Sequence, residues 1–154
     1  MKMSDEYYMR LAIEQAQKAW AIDDVPVGAV IVLDDKVIAG AHNTRELSGK
    51  PTAHAEINAI NAAAEVVGGW RLIDCTLYVT LEPCPMCAGA AVNSRIKRVV
   101  FGAYDQKAGA LGTLYNLAEG RLNHTPEVTG GILELECAAL LSDYFKEKRN
   151  KKSV

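Results

Sequence analysis

His54-Ala55-Glu56 and Pro83-Cys84-Pro85-Met86-Cys87 place an imidazole, a carboxylate and two thiols in a chain of 154 residues. One His and two Cys are three ligands for a zinc ion and leave one tetrahedral position for water. That is the pattern of a catalytic metal, because a structural zinc is usually closed by a fourth protein ligand. Cys84 and Cys87 are three residues apart, so at a helix start both sulfurs lie on one face. Pro85 has no amide hydrogen and suits the first helical position, which makes Cys84 the capping residue. Both sulfurs then sit near the positive end of the helix, and that field together with a metal favours thiolate over thiol. His54 and Glu56 are two apart and do not share a face in mid-helix. They converge only near a helix tip or on a strand, and Pro51-Thr52 just upstream fits a helix start. The predicted site is two helix N-termini meeting over one metal. A structural zinc knuckle, or buried cysteines beside a satisfied histidine, accounts for the thiols and the imidazole but leaves Glu56 unexplained.

The elements that must position these groups follow from the periodicity. Tyr8, Leu11, Ala12, Ala16 and Ala19 recur at helical spacing and predict a helix from about Ser4 to Ala21, with Ser4 as cap and acids in its first turn. Val25 to Leu33 reads as a buried strand, Asp34-Asp35 as a tight turn, and Lys36 to Ala41 as the returning strand of a hairpin. Gly28 inside the first strand marks either a close backbone approach or a bulge. His42 to Thr52 reads as a polar loop leading into the helix of His54 and Glu56, which ends near Gly68-Gly69. Cys75 to Thr80 is a third strand, Pro85 to Asn93 the second ligand helix, and Arg98 to Ala103 a fourth strand. Strand–helix–strand alternation here predicts parallel pairing with helices packed on the sheet. Tyr104 to Pro126 reads as loop with a helical piece near Leu114 to Ala118. Glu127 to Thr129 is a short fifth strand, and Leu133, Cys137, Leu140, Leu141 and Tyr144 form a last helical stripe. Cys75 and Cys137 read as core residues, and the loop residue His124 as no ligand. The metal is expected at one edge of the sheet.

The pattern H-x-E followed by P-C-x-x-C is the signature of zinc-dependent nucleobase deaminases, and the chain resembles the cytidine deaminase superfamily through it. The stretches Val25-Pro26-Val27-Gly28-Ala29-Val30, Thr80-Leu81-Glu82-Pro83-Cys84, and Ser94-Arg95-Ile96 through Val99-Val100-Phe101-Gly102-Ala103 are similar to the bacterial tRNA adenosine deaminases, from about Tyr8 to about Tyr144. The resemblance implies an α/β fold, three-layer α/β/α around a central five-stranded mixed sheet. It implies hydrolytic conversion of adenosine to inosine at the wobble position of a tRNA anticodon loop. One Zn2+ per subunit would be held by His54, Cys84 and Cys87, with Glu56 as proton shuttle rather than ligand. Asn43 matches the position at which the family holds the purine, although a turn Asn reads the same way. Val27 and Ala55 would line the base pocket, Ala55 through its backbone amide. Asp105, Lys107 and Asn123 would meet the flipped anticodon nucleotides, and Phe145 and Arg149 would add stacking and phosphate contacts. Asp105 repels phosphate, so it either contacts a 2′-hydroxyl or base edge or caps a turn. The resemblance also implies a homodimer. The alternatives are a free-base deaminase acting on guanine, and an inactive deaminase-like module that binds RNA, against which Glu56 argues.

Composition fits one domain spanning residues 1–154, with a basic C-terminal tail over about 146–154. The net charge of −2 does not suggest a nucleic-acid binder, so any RNA-binding surface must be local. Lys146, Lys148, Arg149, Lys151 and Lys152 are the one concentration of positive charge, read either as an RNA contact or as a solvated helix end. No apolar run approaches the ~20 residues of a membrane span, and the acidic start does not read as a signal peptide. Four cysteines, two of them committed to metal, fit a reducing cytoplasm better than a disulfide scaffold. The glycines from Gly102 to Gly112 do not form a G-x-G-x-x-G cradle, and no nucleotide cofactor is implied.

Overall fold

The computed structural model describes residues 2–152, with Lys152 described by its backbone alone. Met1, Ser153, Val154 and the Lys152 side chain, which belong to the expected domain and tail, lie outside the described residues. In chain order the elements are α1 (Asp5–Ala21), β1 (Gly28–Leu33), β2 (Lys36–His42), α2 (Arg45–Ser48), α3 (Ala55–Val67), β3 (Thr76–Leu81), α4 (Pro85–Asn93), β4 (Arg98–Ala103), β5 (Glu127–Thr129) and α5 (Glu134–Lys152). The strands form one five-stranded sheet in the order β2-β1-β3-β4-β5. β1 runs antiparallel to both β2 and β3, with Ala29 opposite Ala41 and Val79. β3, β4 and β5 are parallel, with Leu77 beside Val99 and Val99 beside Val128.

Alternation along the strands gives the sheet two apolar faces. Ala29, Ile31, Leu77, Val79, Val99 and Phe101 pack against Ala59 and Ala63 of α3 and Ala88 and Ala91 of α4. Val30, Val32, Tyr78 and Val100 pack against Tyr8, Met9 and Ala12 of α1 and Cys137 of α5. The result is the three-layer α/β/α architecture that the resemblance implies. Each large aliphatic side chain buried this way contributes about 1.5–3 kcal/mol.

Small residues set the spacing on the α1 side. Ala12, Ala16 and Ala19 are fully buried. A Cβ at Gly28 would collide with the Ala12 carbonyl and the Ala16 amide. Gly28 therefore marks a close approach of helix to strand, and the register irregularity falls between Ile31 and Val32 instead. Ser4 caps α1 by accepting a hydrogen bond from the Tyr7 amide at 3.1 Å. Asp34 and Asp35 turn the β1–β2 hairpin with φ of 51° and 63°, both left-handed, as a two-residue hairpin requires.

Three stretches differ from the sequence reading. The first strand starts at Gly28 rather than Val25, because Val27 turns back to donate to the Val25 carbonyl at 2.8 Å. The expected loop from His42 to Thr52 contains the short helix α2, whose Glu46 amide donates to buried Asp24 at 3.0 Å. Leu114 to Ala118 is not helical. Its amides reach back instead: Leu114 and Tyr115 donate to the Gly109 carbonyl at 2.9 and 3.2 Å, and Leu117 to Ala110 at 3.0 Å.

Candidate functional site

The site sits at the carboxyl end of β3, the middle strand, so the expected sheet edge is an end rather than a flank. β3 ends at Leu81, and Glu82 and Pro83 carry the chain to Cys84, the N-cap of α4. Pro85 stands in the first turn, where no amide is missed. His54 is the N-cap of α3 in an extended conformation, and its side chain makes no capping bond. Asn43 takes over that role, its Oδ1 accepting from the Ala55 amide at 2.7 Å. The imidazole is thereby released from capping and turns to the thiols. His54 Nδ1 lies 3.4 Å from Cys87 Sγ and 3.6 Å from Cys84 Sγ.

The three donor atoms all lie within 4.8 Å of one another. A tetrahedral zinc with ordinary bond lengths would separate nitrogen from sulfur by about 3.6 Å, and both nitrogen–sulfur separations suit that ion. The proton states point the same way. Cys84 is held down at about 4, first by the hydrogen bond from the Cys87 thiol and also by His54. Cys87 is pushed up, first by that same bond and then by burial. The His54 imidazole is raised, first by the Cys84 sulfur beside it. A thiolate, a thiol and an imidazole sharing protons in so small a space is a cluster ready to exchange them for a cation.

Glu56 stands in the first turn of α3 and is only 4% exposed. Burial pushes its carboxyl up to about 7, partly offset by its own backbone amide and by His54. A carboxyl balanced near neutrality, beside the ligands but not among them, can take up and return a proton.

The structure brings Asn43, Val27 and Ala55 to the same place. The Asn43 amide donates to the Val27 carbonyl at 3.1 Å, and all three residues are buried. The Ala55 amide, expected to face a base, is instead occupied by Asn43 Oδ1, because an N-cap whose own side chain is turned away leaves that amide needing an acceptor. Asp105 Oδ1 accepts from the Lys107 and Ala108 amides at 2.9 and 3.2 Å and so caps the turn after β4. Lys107 and Asn123 are exposed on the loop after β4. Phe145 is exposed on α5 with its ring edge-on to Tyr144, and Arg149 is exposed further along the same helix. In the basic tail, Lys148 pairs with Asp23 at 3.2 Å and Lys151 with Glu147 at 3.2 Å, which satisfies part of that charge locally. His124 Nε2 bonds the Ile96 carbonyl at 2.7 Å and stands apart from the donor cluster.

Two buried carboxylates at the site's borders escaped the sequence reading. Asp24 accepts the Val25 and Glu46 amides at 2.8 and 3.0 Å. Glu82 accepts the Asp105, Leu111 and Thr113 amides, each at 3.1 Å. The available signal was an acid between an apolar strand and Pro83-Cys84, where an exposed side chain would be out of place.

Residues 3–149 match the family model of MafB19-like deaminases. The chain is 54% identical over 97% of its length to the tRNA-specific adenosine deaminase of Bacillus subtilis strain 168, covering 94% of that protein. A solved structure from work on A-to-I editing by tRNA:A34 deaminases at the wobble position superposes with a TM-score of 0.84 at 43% identity, over 88% of this chain and 99% of that one. The crystal structure of guanine deaminase from Bacillus subtilis is more distant, with a TM-score of 0.65 at 34% identity over 96% of this chain and 95% of that one.

Proposed function

The chain belongs to the MafB19-like deaminase family, and on that premise we propose that it hydrolyses adenosine to inosine at the wobble position of a tRNA anticodon loop. The observation that carries the reading is the open donor set of His54, Cys84 and Cys87 beside the buried Glu56 carboxyl. One zinc ion per subunit is the cofactor these donors fit. Bound there, zinc would supply a Lewis acid that makes water nucleophilic at neutral pH.

The chain's own residues do the rest. Glu56 accepts a proton from the attacking water and passes it to the ring nitrogen next to the attacked carbon. It then takes the proton of the newly formed hydroxyl and delivers it to the departing amine, so that the carbon–nitrogen bond breaks as the carbonyl forms, water is consumed, ammonia leaves and the carboxylate is regenerated. Asn43 holds the α3 N-terminus through Oδ1 and has its Nδ2 donors left for a purine acceptor. Val27 forms the pocket wall. Ala55 lines the same pocket, its amide engaged by Asn43 Oδ1. Lys107, Asn123, Phe145 and Arg149 belong to the RNA-facing surface in this reading, with Asp105 shaping the loop that presents two of them. A single domain, a homodimer and a cytoplasmic setting complete the proposal. They rest on the family; among the described residues no helix is long and apolar enough to cross a membrane.

The substrate is single-stranded in its loop, so little pairing energy opposes entry of the base. The guanine alternative shares the fold, but the chain is 54% identical to the tRNA-specific enzyme of Bacillus subtilis and 34% to the guanine deaminase of that species. The test is ammonia release by zinc-loaded protein from an anticodon stem-loop with wobble adenine, against free guanine. Inosine in the stem-loop without guanine turnover is expected. Turnover of guanine alone would overturn the substrate while leaving the chemistry intact.

A further inference from the structure

Resting on the reading that the loop after β4 meets RNA, we propose that Glu82 is the positioning residue that fixes this loop against the thiol-bearing helix. Glu82 is 1% exposed and lies two residues before Cys84. Its Oε1 accepts from the Asp105 amide at 3.1 Å and from the Thr113 hydroxyl. Its Oε2 accepts from the Leu111 and Thr113 amides, both at 3.1 Å. Every one of these donors comes from residues 105–113. The next residue takes part as well, since the Pro83 carbonyl accepts the Ala110 amide at 2.9 Å. The loop thus hangs from the two residues that deliver the chain to Cys84.

This arrangement goes beyond a buried polar tie in three respects. Residues 105–113 form no helix or strand, so no regular ladder holds them in place. A Cβ at Gly109 would collide with the Glu82 carboxylate and the Asp105 carbonyl, so the backbone is wrapped closely around the carboxylate. The loop also presents the exposed Lys107 between its two tethered ends. Glu82 touches neither the donor set nor the place where a base would sit; it acts through the loop. A carboxylate is the side chain that suits, because it offers acceptors on both oxygens and donors on neither.

Glu82→Gln keeps the shape but turns one oxygen into an NH2 group facing amide donors, which leaves buried donors unpaired. In zinc-loaded full-length protein acting on the anticodon stem-loop, KM is expected to rise about tenfold while kcat falls less than about threefold. Zinc content should be unchanged. Hydrogen exchange at the Asp105, Leu111 and Thr113 amides should accelerate while α3 and α4 keep their protection. Glu82→Asp, one methylene short of spanning both donor sets, should recover part of the KM effect. A purely structural role would lower the active fraction and the melting temperature with KM unchanged, and that result overturns the proposal. If Glu82→Gln does not fold, Thr113→Val removes one of the four bonds and should raise KM about threefold; an unchanged KM overturns the proposal there too. If the wild-type protein turns over no stem-loop, the proposed function falls separately. The loop exchange rates then decide: acceleration in the variant supports the tether, and unchanged rates overturn it.

Discussion

The two ends of β3 use similar groups to opposite effect. Toward the amino end, Asp5 of α1 receives both Arg98 nitrogens, at 2.8 and 2.7 Å, and the Tyr78 hydroxyl at 2.8 Å. Arg98 also reaches the Thr129 hydroxyl at 3.0 Å, so one cluster pins α1 to β3, β4 and β5. There the Asp5 carboxyl is held below its ordinary value, first by the Arg98 hydrogen bond, and Arg98 is raised, first by Asp5. Each partner stabilises the charged form of the other. At the carboxyl end, the carboxyl of Glu56 is pushed the other way by burial, and the Cys87 thiol is raised by its neighbour and by burial. The first end is electrostatically at rest. The second shifts Glu56 toward its protonated form and Cys84 toward its thiolate, neither of which is the state favoured in neutral water, and such a site has capacity to bind a cation or move a proton.

The largest difference between the two ends should appear at Glu56. Glu56→Ala should lower turnover by about 10²–10⁴-fold, the usual range for a proton-transfer group, with zinc still bound. Because the cost of burying the native carboxyl outweighs its attraction to His54, its loss should leave the melting temperature equal or higher. A variant that binds zinc and deaminates at the wild-type rate would remove the carboxyl end from the category of working sites. Arg98→Ala should do the reverse. It leaves Asp5 and Thr129 without their partner and should cost about 1–3 kcal/mol in denaturant unfolding, with kcat/KM unchanged for the folded fraction. A matching fall in kcat/KM would mean that the two ends are not independent.

How much of this was visible beforehand depended on distance along the chain. Pro85 and the Cys84–Cys87 spacing mark a helix start by local chemistry, and α4 runs over Pro85–Asn93 as expected. β4 and β5 also occupy their predicted spans, since branched residues in short runs suffice to specify them. What the sequence did not disclose depends on long-range pairing. α2 forms where Asp24 receives an amide 22 residues away. The stretch Leu114–Ala118 has acceptable helix formers, yet its amides are drawn back to Gly109 and Ala110 while Glu82 gathers the loop before it. Asn43 was legible as a polar loop residue but not as the group that caps α3 in place of His54. The place of Glu82 between an apolar strand and Pro83-Cys84 marks it as out of place in water, but the four donors it receives come from residues 105–113, more than twenty positions away.

The smallest expected effect is also the most specific to the resting end. The Asp5 carboxyl titrates below its ordinary 3.8 in the folded chain, chiefly because Arg98 donates to it. A group whose folded pKa is depressed contributes stability that is fully present above its unfolded value and is lost as pH falls through the folded one. The stability difference between wild type and Arg98→Ala should therefore stay level from about pH 5 to 7 and shrink below about pH 4. Both groups are partly exposed, at 28% and 27% of their side chains, so moderate salt should weaken the difference without abolishing it. A gap that persists undiminished well below pH 4 would mean that Arg98 acts through its packing and its bond to Thr129, and that no charge pairing sets the amino end apart from the metal end. A gap that closes there would tie the calm of that end to one carboxylate and one guanidinium.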